Sequence, residues 1–226
     1  MATTTTAPTK AAPAAPTPVA PAAPAAVPAW LQNPRVLGGV LGGIALVAAA
    51  VWFVNSSATR KEDFANRALQ AARQAAESGN LPLAASELQK VSKTYKGTRA
   101  ATEAVLSLNQ VRLLNNQAEL AVVGLREFAA TKPTGYVAQS QALLGVALEN
   151  TKKPAEAAAA YLVAANAAEV DFLKAQYLLD AGRAWVAAGK PEEAAKAYRE
   201  LIAKYEKTPA VTEARVRLGE LTKGQL

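Results

Sequence analysis

From residue 60 onward, apolar positions recur at helical spacing and are broken by short polar turns at a nearly constant interval. Four such turns, Gly79-Asn80-Leu81-Pro82, Asn116-Gln117-Ala118-Glu119, Lys152-Lys153-Pro154-Ala155 and Gly189-Lys190-Pro191-Glu192, start 37, 36 and 37 residues apart. Five positions after each start stands Ala84, Ala121, Ala157 or Ala194; nine after stands Leu88, Leu125, Tyr161 or Tyr198; twelve after stands Val91, Phe128, Ala164 or Leu201. These offsets share one helical face, so each turn opens an amphipathic helix that presents a small residue and then large ones. Seven positions before the starts, in a second apolar-periodic stretch, stand Ala72, Asn109, Gly145 and Gly182, three of them small. The spacing therefore predicts an all-α array of four helical hairpins over 60–226, each burying its apolar face against its neighbours. A last helix over about 209–222, opening after Thr208-Pro209, is expected to cap it.

Upstream the pattern changes. Residues 36–54 carry no charge and no strongly polar side chain over 19 positions, enough at about 1.5 Å per residue to cross most of a ~30 Å hydrocarbon layer. Arg35 flanks one end, Arg60 and Lys61 lie past the other, and Trp30 and Trp52 stand where interfacial aromatics anchor a span. A transmembrane helix over 35–55 is expected, retained as a signal anchor. Gly38, Gly39, Gly42 and Gly43 hold two overlapping Gly-x-x-x-Gly spacings on it, which suits either a close helix contact, including one between copies, or the ordinary glycine content of membrane helices. The first 34 residues contain eight of the thirteen prolines and one charged side chain, Lys10. Proline removes backbone donors and the alanines between bury too little apolar surface, so a disordered, solvated tail is expected.

Glycine before the turn, alanine five later, Leu or Tyr nine later and proline opening the second helix together resemble the tetratricopeptide repeat family, most clearly in Leu178 to Pro209. The second unit departs from the family pattern, with Arg112 and Asn116 where an apolar residue and glycine are expected. The order of short tail, single anchor and four repeats is similar to the ancillary subunit of the bacterial Sec translocon. That resemblance implies a single-pass inner-membrane protein with its repeats in the periplasm, assisting translocon or chaperone components. An alternative is a cell-envelope or division coordinator that binds other envelope proteins.

Composition narrows the chemistry. The chain has no Cys and no His, which removes disulfides, thiol catalysis, imidazole acid–base work and most transition-metal sites. Its formal charge of +7 is spread along the sequence without a basic stripe interleaved with aromatics, so no nucleic-acid partner is expected. No catalytic constellation, cofactor site or metal site is expected, and the partners are proteins. Family members bind along the groove lined by first helices, and two polar rows recur there: Asn66, Glu103, Gln139 and Gln176 thirteen residues before the turns, and Arg73, Gln110, Val146 and Arg183 six before. The polar members fit either a row that reads an extended partner chain or a merely solvated face. Charge gives the opposite topology to the resemblance: Arg35 precedes the span while Arg60, Lys61, Arg67 and Arg73 follow it, which by the positive-inside rule places the repeats in the cytoplasm.

Overall fold

The computed structural model describes residues 34–131 and 133–223, so the expected Pro/Ala tail lies outside the described residues. They form α1 (Pro34–Glu77), α2 (Leu81–Thr94), α3 (Arg99–Leu114), α4 (Ala118–Ala130), α5 (Val137–Asn150), α6 (Pro154–Ala167), α7 (Asp171–Ala187), α8 (Pro191–Lys204) and α9 (Ala210–Thr222), with no strand among them. The chain divides into two units, Met1–Phe53 and Val54–Leu226.

In the first unit, the α1 residues up to Phe53 leave their large apolar side chains in the open: Leu41, Ile44, Leu46, Val47 and Trp52 are all exposed. The Gly38–Glu77 stretch holds an 18-residue window of mean hydropathy 1.8, none of it buried. A Cβ added at Gly38, Gly39, Gly42 or Gly43 meets nothing within 4 Å.

The second unit is a chain of antiparallel hairpins: the C-terminal half of α1 with α2, then α3–α4, α5–α6 and α7–α8, with α9 against α7 and α8. All four hairpin turns have one backbone solution. Gly79, Asn116, Lys152 and Gly189 each take φ between +55° and +81°, the left-handed conformation that ends a helix. The following N–H then reaches back to the final helical turn, from Asn80 to the Ala75 carbonyl, Gln117 to Arg112, Lys153 to Leu148 and Lys190 to Trp185, at 2.8–2.9 Å. Carbonyls that would otherwise be orphaned are satisfied by this arrangement. Proline at the first or second position of α2, α6 and α8 costs no hydrogen bond there and starts the return helix.

Within each hairpin a residue of the first helix faces one sixteen positions later on the second. Ala72 and Leu88 are both fully buried in the first. In the third and fourth the partners are Gly145 with Tyr161 and Gly182 with Tyr198, and a Cβ on either glycine would come within 2.5 and 2.2 Å of the ring. A smaller residue on one helix thus admits a larger one on the other, as a close-packed interior requires.

The second hairpin solves the same seam differently, which is why it departs from the family pattern. Asn109 occupies the small position, 1% exposed. Its amide donates to the Val105 carbonyl at 2.9 Å and its Oδ1 accepts from Arg112 at 3.0 Å, while Arg112 also donates to the Leu120 carbonyl. Gly124 of α4 makes the room, since a Cβ there would lie 2.6 Å from Asn109 Oδ1. Asn116 supplies the left-handed turn without glycine, a conformation Asn tolerates better than most residues.

Candidate partner-binding site

Positions thirteen, nine, six and two before each turn lie on one face of the first helices, following an i, i+4, i+7, i+11 stripe. The expected residues occupy it: Asn66 and Arg73 on α1, Glu103 and Gln110 on α3, Gln139 on α5, Gln176 and Arg183 on α7, every one exposed or half-buried. None of them sits in the core.

The structure joins some of these residues and separates others. Arg73 donates to Glu103 at 3.1 Å, linking the first hairpin to the second, and Glu103 also accepts from Arg99 at 3.0 Å and from the Tyr136 hydroxyl at 3.4 Å. Arg73 and Gln110 share the wall of a notch of about 360 Å³ with Ala76, Ser107 and Leu114, floored by Leu88. On α7, Asp180 accepts from Gln176 at 3.3 Å and from Arg183 at 2.6 Å. Burial opposes the charge on Arg183, yet its hydrogen bond to Asp180 and the fields of Asp180 and Glu149 outweigh that and raise its pKa. Arg183 lines a second notch of about 180 Å³ with Val186, Arg217 and Glu220. Gln139 stands apart, in a groove with Val137, Val170, Leu173 and Tyr177 between the start of α5 and the α6–α7 connection. Asn66 lies on α1 in a shallow depression with Gln70, Arg73 and Gln74.

The two notches are the same place in different repeats, over the eighth residue of the returning helix: Leu88 in one, Tyr198 in the other. Between them the stripe loses its charge. Leu114 is 65% exposed and Val146 39%, and both stand at stripe positions of the central helices α3 and α5. The face therefore combines neutral amides and open apolar side chains at its middle with self-paired arginines toward its ends. Such a surface can pair with the backbone of an extended segment and cover its alternate apolar side chains without demanding a charged ligand.

The polar rows were readable from spacing; the partners that tether them were not. Tyr136 lies outside the stripe, just before α5, and reaches Glu103 across hairpins; Asp180 stands in the stripe nine residues before its turn, and Arg99 bonds Glu103 along one helix, four residues away. The apolar centre had a signal, since Leu114 and Val146 complete the same i, i+4, i+7, i+11 series as the amides. Tyr161 and Tyr198 are packing residues, 2% and 0% exposed. Among the described residues no group of His, Cys, Asp or Glu could hold a metal ion.

No family model matches the chain, and no curated protein does. Solved structures do match in fold. A crystal structure of MamA protein superposes with a TM-score of 0.58 at 18% identity, covering 71% of this chain and 82% of that one. A kinesin light chain of Podosopora anserina with nearly identical TPR-like repeats superposes with a TM-score of 0.57 at 18% identity, covering 70% and 85%. A further structure of MamA gives 0.56 at 19% identity, covering 68% and 84%. At such identities the likeness concerns the backbone alone, and it establishes that the hairpins of this chain form a tetratricopeptide-like helical solenoid.

Proposed function

We propose that this protein is a membrane-anchored scaffold that binds other proteins along the face of its first helices and catalyses nothing. The observation that carries the binding role is the face itself, where hydrogen-bonding amides at Asn66, Gln110, Gln139 and Gln176 flank open apolar side chains. Leu114 and Val146 stand open on the same face as these amides. The anchor is the uncharged 36–54 stretch, whose described side chains are exposed and whose stable solvent is hydrocarbon. Gly38, Gly39, Gly42 and Gly43 leave an open, small-residue strip that suits a second helix in the bilayer, from another copy or another membrane protein.

The resemblance to the ancillary Sec subunit supports a bacterial inner membrane with the repeats on the periplasmic side, where they would assist translocon or chaperone components. A translocated solenoid overrides the local charge bias, because that rule weakens for large domains. A reporter enzyme fused after Leu226 and active only outside the cytoplasm tests the topology; activity confined to the cytoplasmic form would sink the periplasmic assignment. Co-purification in mild detergent tests the partner. Recovery of translocon or chaperone subunits supports this reading, and recovery of division or envelope proteins instead favours a coordinator of the envelope.

A further inference from the structure

The third and fourth hairpins share a packing plan and differ in one polar detail. At the 37-residue separation of their turns, Glu149, Tyr161, Asp180 and Arg183 correspond to Val186, Tyr198, Arg217 and Glu220. The Tyr161 hydroxyl donates to Glu149 at 2.6 Å, and Asp180 and Arg183 supply the other charges around it. Around Tyr198 the glutamate has become valine and the aspartate arginine. Tyr198 is fully buried, and its hydroxyl meets no hydrogen-bond partner. Buried polar atoms are paired as a rule, so a lone one marks a place where a partner is missing.

Room for that partner is present. Tyr198 lies at the notch of about 180 Å³ that Arg183, Val186, Arg217, Glu220 and Leu221 wall between α7 and α9. The Arg183 and Arg217 side chains that close over the hydroxyl are nearly half exposed, and exposed ion pairs resist displacement weakly. Arg183 is committed to Asp180 at 2.6 Å. Arg217 is held loosely, 3.4 Å from Glu213 and 3.8 Å from Glu220, which leaves guanidinium donors for another acceptor. Charge points the same way. Tyr161 sits in the fields of two carboxylates and one guanidinium, Tyr198 in those of two of each, so one further carboxylate would bring the second site to the balance of the first.

We infer that the notch between α7 and α9 receives an acidic side chain of an extended partner segment, whose carboxylate accepts from the Tyr198 hydroxyl and from Arg217. The occupant takes the place that Glu149 holds over Tyr161 in the preceding hairpin. An ionised acceptor is favoured over an amide because hydrogen bonds to a charged oxygen are the stronger kind. The inference rests on the reading of the first-helix face as the partner site and fixes the register of a bound segment on it: an acidic residue at the α7–α9 end, apolar ones over Leu114 and Val146.

The test uses full-length protein in detergent with isotope-labelled tyrosines, titrated by nuclear magnetic resonance with a short glycine peptide, blocked at both ends, that carries one central glutamate. Saturable shifts at Tyr198 are expected, with a dissociation constant on the order of a millimolar. Replacing the peptide glutamate by glutamine, or Tyr198→Phe in the protein, should weaken binding about tenfold or more, as loss of a charge-assisted hydrogen bond does. Val186→Glu should abolish binding and raise the thermal transition, because it rebuilds the Glu149–Tyr161 pair one repeat on. Should that variant unfold, Tyr198→Phe and the glutamine peptide carry the comparison. Equal binding of the two peptides, equal binding by wild type and Tyr198→Phe, or no saturable binding overturns the inference. A thermal transition lowered by Tyr198→Phe also overturns it, by showing that the chain supplies its own acceptor. Partner adducts elsewhere on the face without peptide binding at the notch would sink this inference alone and leave the scaffold role standing.

Discussion

Two tyrosines at equivalent positions have opposite hydrogen-bond fortunes. Tyr161 donates to Glu149 at 2.6 Å, while Tyr198, one repeat on, meets Val186 where the glutamate would be and has a buried hydroxyl with no partner. Removing a satisfied buried hydroxyl strands its acceptor, whereas removing an orphan relieves a desolvation cost. Tyr161→Phe is therefore expected to lower unfolding free energy by about 1 kcal/mol and Tyr198→Phe to leave it unchanged or raise it, by urea unfolding followed with circular dichroism. Burial, then the Glu149 hydrogen bond and charge, hold Tyr161 well above the ordinary phenol range, and burial raises Tyr177 and Tyr198 in the same direction. A group whose folded pKa is raised contributes stability that is complete below its unfolded value, here 10.0, and lost as pH climbs toward the folded one. Stability should thus fall above about pH 10, with Tyr161, Tyr177 and Tyr198 ionising later than an unburied tyrosine in an absorbance titration. Lys152 holds φ +59° at a turn where two sister turns use glycine, so Lys152→Gly should stabilise by about 0.5–1 kcal/mol in the same unfolding assay.

At the scale of the element, the hairpin seam makes a sharper demand. Gly182→Ala improves helix propensity by roughly 1 kcal/mol but drives a methyl to 2.2 Å from the Tyr198 ring, an overlap that costs about 1–3 kcal/mol. Net destabilisation is expected, and Tyr198→Leu in the same chain should recover most of it, because the double variant recreates the Ala72–Leu88 pair of the first hairpin. A double-mutant cycle with no coupling between the two sites would show that the seam is not in contact as described. Helix existence, turn placement and this small-to-large pairing were legible in sequence because they recur at a fixed period. The compensation in the second hairpin was not, since Asn109, Arg112 and Gly124 form a single polar knot that occurs once and has no periodic trace. Nor was the joint between α1 and α3 readable. There Glu62 accepts from the Arg99 and Ala100 N–H groups at 2.9 Å, and Lys61 donates to the Lys96 carbonyl at 2.8 Å. Both contacts span more than thirty residues and use side chains that sequence offers as ordinary surface charge.

For the molecule as a whole, the period establishes the solenoid and leaves the choice of face to chemistry. Most charge on the stripe is spent internally, with Arg73 and Arg99 on Glu103 and Arg183 on Asp180, while Glu77, Asn66, Gln110, Gln139 and Leu114 stay exposed. Binding along it should therefore depend little on salt, unlike the encounter of a charged groove with an oppositely charged ligand. The returning helices also expose apolar side chains, Leu83, Leu120, Val123 and Val163, and on α8 they carry the exposed pair Glu193–Lys196. The most direct measurement places a photocrosslinking amino acid at Gln110 and, separately, at Lys196 in living cells. Discrete protein adducts at position 110, absent at position 196 and persisting after a high-salt shift, are predicted. Adducts equal at both positions, or none at position 110, would contradict a partner-binding role for the face of the first helices.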